Sequence, residues 1–358
     1  MQGIMREYIL TADIGATNTR IALYSTEIKL IELIEIKTDE IKNKESFVRI
    51  IKQKLKKIFS RLQATCIACA GPVNHKLNQV QLTNSHLLIN SKHLNEQFKK
   101  ENISCKDIYL LNDFEALGYG INKILNSSKS SQYSTKELTT IKKGKPVRLK
   151  TIALLGAGTG LGKSIAVYNK DKNIYQPFPS EGGHADFPIQ NYYELQLAEF
   201  IRKQTNYTNL CYEDILSGKG IVHIYDFLYL KYEYNLKKEQ LALKKKIDKA
   251  DDKAALISKN RKTDFLCKET FRLFAKYYAI CLRNLALETM PLSGIYIGGG
   301  IAAKNADIFN YLFIQEFEKH DVYRHLLKNI PIYLITDKTL SLYGCALYAR
   351  QKSTSLIY

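Results

Sequence analysis

The chain has no tryptophan and only three methionines in 358 residues. It lacks any apolar run near the ~20 residues that a membrane-spanning helix needs, so a helical integral membrane protein is excluded. Acidic residues are scarce: 35 Asp and Glu face 53 Lys and Arg, a formal net charge of +18. The seven cysteines form an odd, scattered set, which argues for reduced thiols and against a disulfide framework. Cys66 and Cys69 have CxxC spacing, but no second CxxC completes a zinc site. They lie in a strand-like run, Thr65 to Ala70, where residues three apart point to opposite faces. Both are expected in the core. The first strand-like run starts at Tyr8, which leaves no room for a signal peptide. A cytoplasmic location is the expectation, with no membrane partner.

The deficit of acid invites a nucleic-acid reading. Lysine, however, is spread along the chain, with dense patches at 52–57, 142–150 and 237–246. Ile, Asn, Tyr and Lys are abundant together, as AT-rich codons produce. No specific nucleic-acid partner is expected; the basic surface instead draws phosphorylated ligands at long range.

What is present is more informative. Two glycine-rich loops occupy the same local context. Asp13-Ile14-Gly15-Ala16-Thr17-Asn18-Thr19-Arg20 follows the apolar run Tyr8–Ala12 and precedes Ile21–Tyr24. Gly156-Ala157-Gly158-Thr159-Gly160-Leu161-Gly162-Lys163 follows Thr151–Leu155 and precedes Ile165–Tyr168. A strand–loop–strand unit that occurs twice suggests a duplicated domain gripping one phosphate-bearing ligand. The second loop imitates a P-loop through Lys163-Ser164. A P-loop needs a helix directly after that pair, and here a short strand-like run meets a turn cluster at 169–173. The glycines fall at every second position, so the dinucleotide pattern fails as well. A hairpin loop with bare backbone N–H groups remains. In the first loop Asp13 stands at a strand end, where a carboxylate can hold Mg²⁺ through water.

The remaining pattern alternates strands and helices, so the class is α/β. Strands are expected at Tyr8–Ala12, Arg20–Tyr24, Leu30–Ile36, Thr65–Ala70, Ile108–Leu111, Ser293–Ile297 and Ile332–Ile335. Helices are expected at Glu45–Gln63, Tyr192–Lys203, Asp264–Leu287 and Leu340–Arg350. Ser127–Arg148 reads as a surface excursion. Lys231–Arg261 reads as a charged, solvated helical insertion. The length suits two domains: a small one at 1–126, a large one at 127–350 carrying that insertion at about 231–261, and a tail at 351–358.

Six motifs occur in order: Asp13–Arg20, Leu111-Asn112-Asp113-Phe114-Glu115-Ala116, Gly156–Gly162, Glu181-Gly182-Gly183-His184-Ala185-Asp186-Phe187, Glu213-Asp214-Ile215-Leu216-Ser217-Gly218 and Gly298-Gly299-Gly300-Ile301. Together they resemble bacterial glucokinase, of the hexokinase and actin-like ATPase superfamily, from about residue 8 to residue 350. The resemblance implies two actin-like, ribonuclease H-like domains flanking a cleft. It implies transfer of the γ-phosphate of ATP to the 6-hydroxyl of glucose, with Mg²⁺. Asp113 is similar to the family's catalytic base, and Asn112, Glu181, His184 and Glu213 complete the sugar shell with it. Asp13, Gly15, Ala16, Thr17, Asn18, Thr19, Gly158, Thr159 and Gly160 match the phosphate loops, and Gly299 and Gly300 the adenosine loop. The zinc-bearing relatives carry a cysteine-rich element after the histidine; this chain does not, so structural zinc is not expected. A homodimer is expected by resemblance.

The chain departs from the family pattern at Ala16, where a second glycine is common, and at Lys219, where proline is frequent. The competing reading is a catalytically impaired, sugar-binding regulatory protein on the same fold; the intact Asp113 and both phosphate loops argue against it.

Overall fold

The computed structural model describes residues 7–55, 61–74, 76–82, 87–127 and 137–354. The first stretch of chain forms β1 (Tyr8–Ile14), β2 (Asn18–Ser25), β3 (Leu30–Lys37), α1 (Lys44–Lys54) and β4 (Leu62–Cys69). Three short strands follow, β5 (Val73–Asn74), β6 (Gln79–Gln81) and β7 (Leu88–Asn90), then α2 (Ser91–Lys100), β8 (Cys105–Asn112) and α3 (Asp113–Ser127). Next come β9 (Leu138–Lys142), β10 (Ile152–Ala157), β11 (Leu161–Asn169) and β12 (Ile174–Phe178). The helices α4 (Tyr192–Thr205), α5 (Gly218–Tyr232), α6 (Lys238–Asp248), α7 (Lys253–Asn260) and α8 (Phe265–Thr289) lead to β13 (Gly294–Gly298). The chain ends through α9 (Gly300–Lys304), α10 (Tyr311–Glu318), α11 (Arg324–Asn329), β14 (Ile332–Ile335) and α12 (Leu340–Thr354).

Two compact units result. The first takes 1–133, 168–179 and 337–358; the second takes 134–167 and 180–336. In the first unit the main sheet runs β3-β2-β1-β4-β8. The β1–β2 and β2–β3 pairs are antiparallel, and β1–β4 and β4–β8 are parallel. The sheet is covered on both faces, because alternate residues serve opposite cores. Ile67 and Cys69 join the core with Phe47, Val48 and Phe98. Cys66 and Ala68 join the opposite one, with Ala116, Leu342 and Cys345. The expected opposition of Cys66 and Cys69 is what the structure shows.

The second face depends on close contact between α3 and α12. A methyl built on Gly344 would lie 1.8 Å from the Ala116 carbonyl oxygen, and one on Gly120 2.1 Å from that of Leu340. Only glycine lets the two backbones approach this far.

The second unit repeats the pattern. β10 pairs antiparallel with β11 and parallel with β13, which is parallel to β14; β9 closes the edge antiparallel to β14. The order β11-β10-β13-β14 thus matches β2-β1-β4-β8 of the first unit, as the repeated strand–loop–strand context suggests. The long helix α8 anchors this core with Phe274, Tyr277, Tyr278 and Cys281, all fully buried.

Two expected elements change. The helix expected over Glu45–Gln63 stops at Lys54, and Leu62 begins β4, fully buried and opposite Cys105; residues 56–60 of that expectation lie outside the described residues. The excursion expected at Ser127–Arg148 contains a strand, β9, whose Leu138 and Lys142 are buried. The charged insertion forms α6 and α7, each pinned to the core by one fully buried residue, Ile247 and Ile257.

Candidate functional site

In the first unit the candidate residues collect at one end of the parallel strands. Asp13 is the penultimate residue of β1 and Asn112 the last of β8. Asp113 opens α3 directly after the strand. The C-terminal edge of parallel strands is where α/β sheets present ligand-binding groups. The Asn112 side chain caps the helix: its Oδ1 accepts the Phe114 N–H at 2.9 Å, while its Nδ2 donates to the Gly71 carbonyl at 3.2 Å. Asp113 Oδ1 also receives the Phe114 N–H, at 3.0 Å. The strand end, the cap and the turn at Gly71 therefore fix the backbone from which Asp113 projects.

The first loop is braced from the end of β3 and the 3-10 turn Thr38–Glu40 that follows it. Thr38 donates its hydroxyl to the Gly15 carbonyl at 2.7 Å and its backbone N–H to the Thr17 carbonyl at 3.0 Å. The Thr19 and Thr38 hydroxyls lie 3.0 Å apart. Lys37 Nζ donates to Asn18 Oδ1 at 3.1 Å. Ala16 and Thr17, at the loop tip, are exposed. Burial pushes the Asp13 carboxyl above the usual carboxylate range, against a hydroxyl donated by Ser341 and the charge of Arg20. Thr38 and Ser341 are supports that no sequence pattern singled out.

In the second unit, Lys163 and Ser164 are strand residues of β11, paired with Leu155 and Leu154. No helix follows them, so a P-loop is excluded. The loop Gly158–Gly160 closes on itself through Gly158 N–H to the Gly160 carbonyl at 2.8 Å, and its Gly158 carbonyl receives the Gly218 N–H at 2.9 Å. Glu213 Oε2 accepts the Leu161 N–H at 2.9 Å. That carboxylate packs against the bare Cα of Gly160, where a methyl would come within 2.5 Å of it. One candidate sugar residue and one candidate phosphate loop are thus in direct contact.

Glu181 precedes and His184 ends a single 3-10 turn, with the His184 N–H donating to the Glu181 carbonyl at 2.9 Å. Both side chains are exposed. The Glu213 turn is tied to them: Tyr212 N–H donates to the Ala185 carbonyl at 3.0 Å, and Asp186 bridges to Cys211. Asp214, missed by sequence reasoning, holds this turn by accepting the Cys211 N–H at 3.0 Å. The structure therefore brings Glu181, His184, Glu213 and Gly158–Gly160 together in the second unit. Gly299 and Gly300 sit where β13 passes into α9. Gly299 has φ +89 and leaves no room for a side chain beside the Ala157 carbonyl, which places β13's end against β10.

Two sheets share one topology, each with a glycine hairpin loop; candidate acids stand at strand ends in the first unit and on 3-10 turns in the second. A sequence profile described as glucokinase matches residues 10–352. The chain is 33% identical over 363 residues to a glucokinase of Trichormus variabilis, covering 95% of this chain and 98% of that one. The chain belongs to the glucokinase family. A glucokinase of Nostoc punctiforme is 32% identical over 354 residues, with 95% and 98% covered. Among solved structures, glucokinase from Balamuthia mandrillaris in complex with glucose shares the fold at TM-score 0.77 and 21% identity, covering 98% of this chain and 95% of that one. The likeness read from six motifs is borne out over nearly the full length of this glucokinase-family chain.

The nucleotide metal can be weighed against the residues present. Among the described residues no group of three or more His, Cys, Asp and Glu side chains could hold a metal ion. Mg²⁺ in kinases is held by one or two carboxylates together with substrate phosphates and waters. Asp13, a single carboxylate beside the first loop, fits that mode and not a closed protein cage. Its burial penalises the charged form, and a nearby cation would restore it. No described helix is long and apolar enough to cross a membrane.

Proposed function

We propose that this glucokinase-family chain transfers the γ-phosphate of ATP to the 6-hydroxyl of glucose, with Asp113 as general base. The supporting observation is the capped junction of β8 and α3, which fixes the backbone of Asp113 through Asn112 and Gly71. The Asp113 carboxylate accepts the proton of the attacking hydroxyl as that oxygen approaches phosphorus in line. Asn112, Glu181, His184 and Glu213 bind the sugar hydroxyls. Their mix of acceptors and donors suits a ligand that offers both at every hydroxyl. The loops Gly15–Thr19 and Gly158–Gly160 receive the phosphates, and Gly299 and Gly300 lie against the adenosine. Asp13 holds through water the Mg²⁺ that offsets phosphate charge when bound. Contact between Glu213 and the Gly160 loop supports this reading, because a phosphoryl donor and its acceptor must meet there.

The experiment is coupled turnover of glucose and MgATP, compared between the native chain and Asp113→Asn. The expected result is near-complete loss of turnover in the variant with glucose binding retained in calorimetry. Substantial turnover in the variant removes Asp113 from the role of base. A native chain that binds glucose but does not turn over supports the regulatory alternative. A homodimer, proposed on the family resemblance, is checked by light scattering.

A further inference from the structure

The function above leaves one feature of the second loop unused. Lys163 is only 5% exposed, yet among the described residues it forms no ion pair with a carboxylate. Its ammonium lies 4.3 Å from the centroid of the Tyr212 ring, and it also meets the Cys281 thiol. Burial of an ammonium without a carboxylate partner is costly, and an apolar side chain of similar volume is usually as stable or more so. Stability alone therefore gives no reason for lysine at this position.

The surroundings give one. The backbone of Lys163 is locked in the β10–β11 ladder opposite Leu155. The stem runs beneath the Glu181–His184 turn, where a methyl on Gly182 would meet Lys163 Cδ at 3.0 Å. The ammonium faces the ring of Tyr212, the residue before Glu213. That ring is held from behind, since its hydroxyl accepts from Asn284 Nδ2 at 2.7 Å. The cation is attracted by the ring's negative face, and the attraction grows where water is excluded.

We infer that Lys163 is a positioning residue for the sugar side of the site: anchored in the sheet, it braces the Glu181–His184 turn with its stem and the Glu213 turn with its charge. The inference rests on the reading of Glu181, His184 and Glu213 as sugar ligands.

The test uses the full chain carrying Lys163→Met, which keeps the stem and removes the charge. Glucose affinity by calorimetry and the glucose KM should weaken about tenfold, equivalent to ~1.4 kcal/mol. The KM for MgATP should stay within about twofold, and the melting temperature should not fall. An unchanged glucose Kd, or a weaker one accompanied by a lower melting temperature, overturns the inference. Should Lys163→Met fail to fold, Tyr212→Leu removes the ring while keeping the cation; because Tyr212 is also a core residue, it is judged by the split between the glucose and MgATP KM values alone, and an equal change in both overturns the inference. Glu181→Gln measured beside them separates two failures. If it binds glucose normally, the sugar-site reading has failed. If it binds glucose weakly while Lys163→Met binds normally, only the role of Lys163 has failed.

Discussion

Ser341 donates its hydroxyl hydrogen to Asp13 Oδ2 across 2.5 Å, joining α12 to the end of β1 over a separation of 328 residues. This bond opposes the burial that disfavours the charged form of Asp13. Ser341→Ala should leave that carboxylate short of a donor. A hydrogen bond to a charged group is worth ~1.5–3 kcal/mol, so kcat/KM for MgATP should fall roughly tenfold or more. The Mg²⁺ concentration for half-maximal rate should rise in parallel. Titration of rate against Mg²⁺ at saturating glucose checks this, and an unchanged midpoint would remove Ser341 from the metal side of the site.

Such a partner is invisible in sequence. The strand–loop–strand units at Asp13 and Gly156 were legible because period-two apolar residues met glycines, a local signal that the ladders of β1 with β2 and β10 with β11 reproduce. The six motifs gave the family because each is also local. What failed was set by distant chain. Leu62 continues the helical spacing of the preceding segment, yet the sheet claims it through Cys105. Thr38 and Ser341 are ordinary polar residues until folding delivers them to Gly15 and Asp13. Ile247 and Ile257 are two apolar residues in a charged stretch, and only packing shows that they anchor it.

Glu115 gives a pH-dependent prediction. Two residues beyond Asp113, its carboxyl is pushed up to about 7 by burial, against a backbone hydrogen bond from Asn112 and the charge of Lys352 on α12. Tyr119 on the same helix, Tyr348 on α12 and Cys66 on β4 also feel its charge. A folded pKa above the unfolded value means that the folded state holds the proton more tightly. Glu115 thus makes the fold lose stability as pH rises from about 4.5 to 7, with no further change above. Glu115→Gln should flatten that slope. Above pH 8 the variant should be more stable than the native chain, by on the order of 1–3 kcal/mol. Urea denaturation at pH 5 and pH 8 measures both, and an equal gap at the two pH values would show that Glu115 does not titrate there.

The contact of Glu213 with the second loop yields a paired prediction. A methyl at Gly160 would fall 2.5 Å from Glu213 Oε2, whereas one at Gly158 meets nothing within 4 Å. Gly160→Ala must therefore displace Glu213, and it should weaken glucose and MgATP together, each by about tenfold. Gly158→Ala fits the protein itself, so its melting temperature should hold, and any loss should fall on MgATP alone. Steady-state kinetics with each substrate varied distinguishes the two patterns. A Gly160→Ala enzyme with native glucose KM would separate Glu213 from the sugar.

Lys142 tests how far one lysine can differ from its neighbours. It belongs to a lysine-rich stretch that reads as solvated surface, yet it is 4% exposed. Its ammonium donates to the carbonyls of Leu327, Lys328 and Ile330 at 3.1, 2.7 and 2.9 Å and pairs with Glu318 at 3.4 Å. Those carbonyls lie at the C-terminal end of α11, where Leu327 also accepts the Ile330 N–H at 3.3 Å and the last backbone acceptors lack intrahelical partners. A cation there satisfies them and complements the helix dipole. Lys142→Met keeps the stem but takes the cation from the carbonyls of Lys328 and Ile330 and from a carboxylate, while the Leu327 carbonyl keeps the Ile330 N–H. The expected loss is ~3–5 kcal/mol, the range for removing one partner of a buried charge pair. Lys143 is the control: it is exposed, and Lys143→Met should change stability by no more than about 0.5 kcal/mol. Thermal and urea melts of the two variants decide the matter. Equal stabilities would mean that β9 gains nothing from its buried ammonium, and that α11 ends without it.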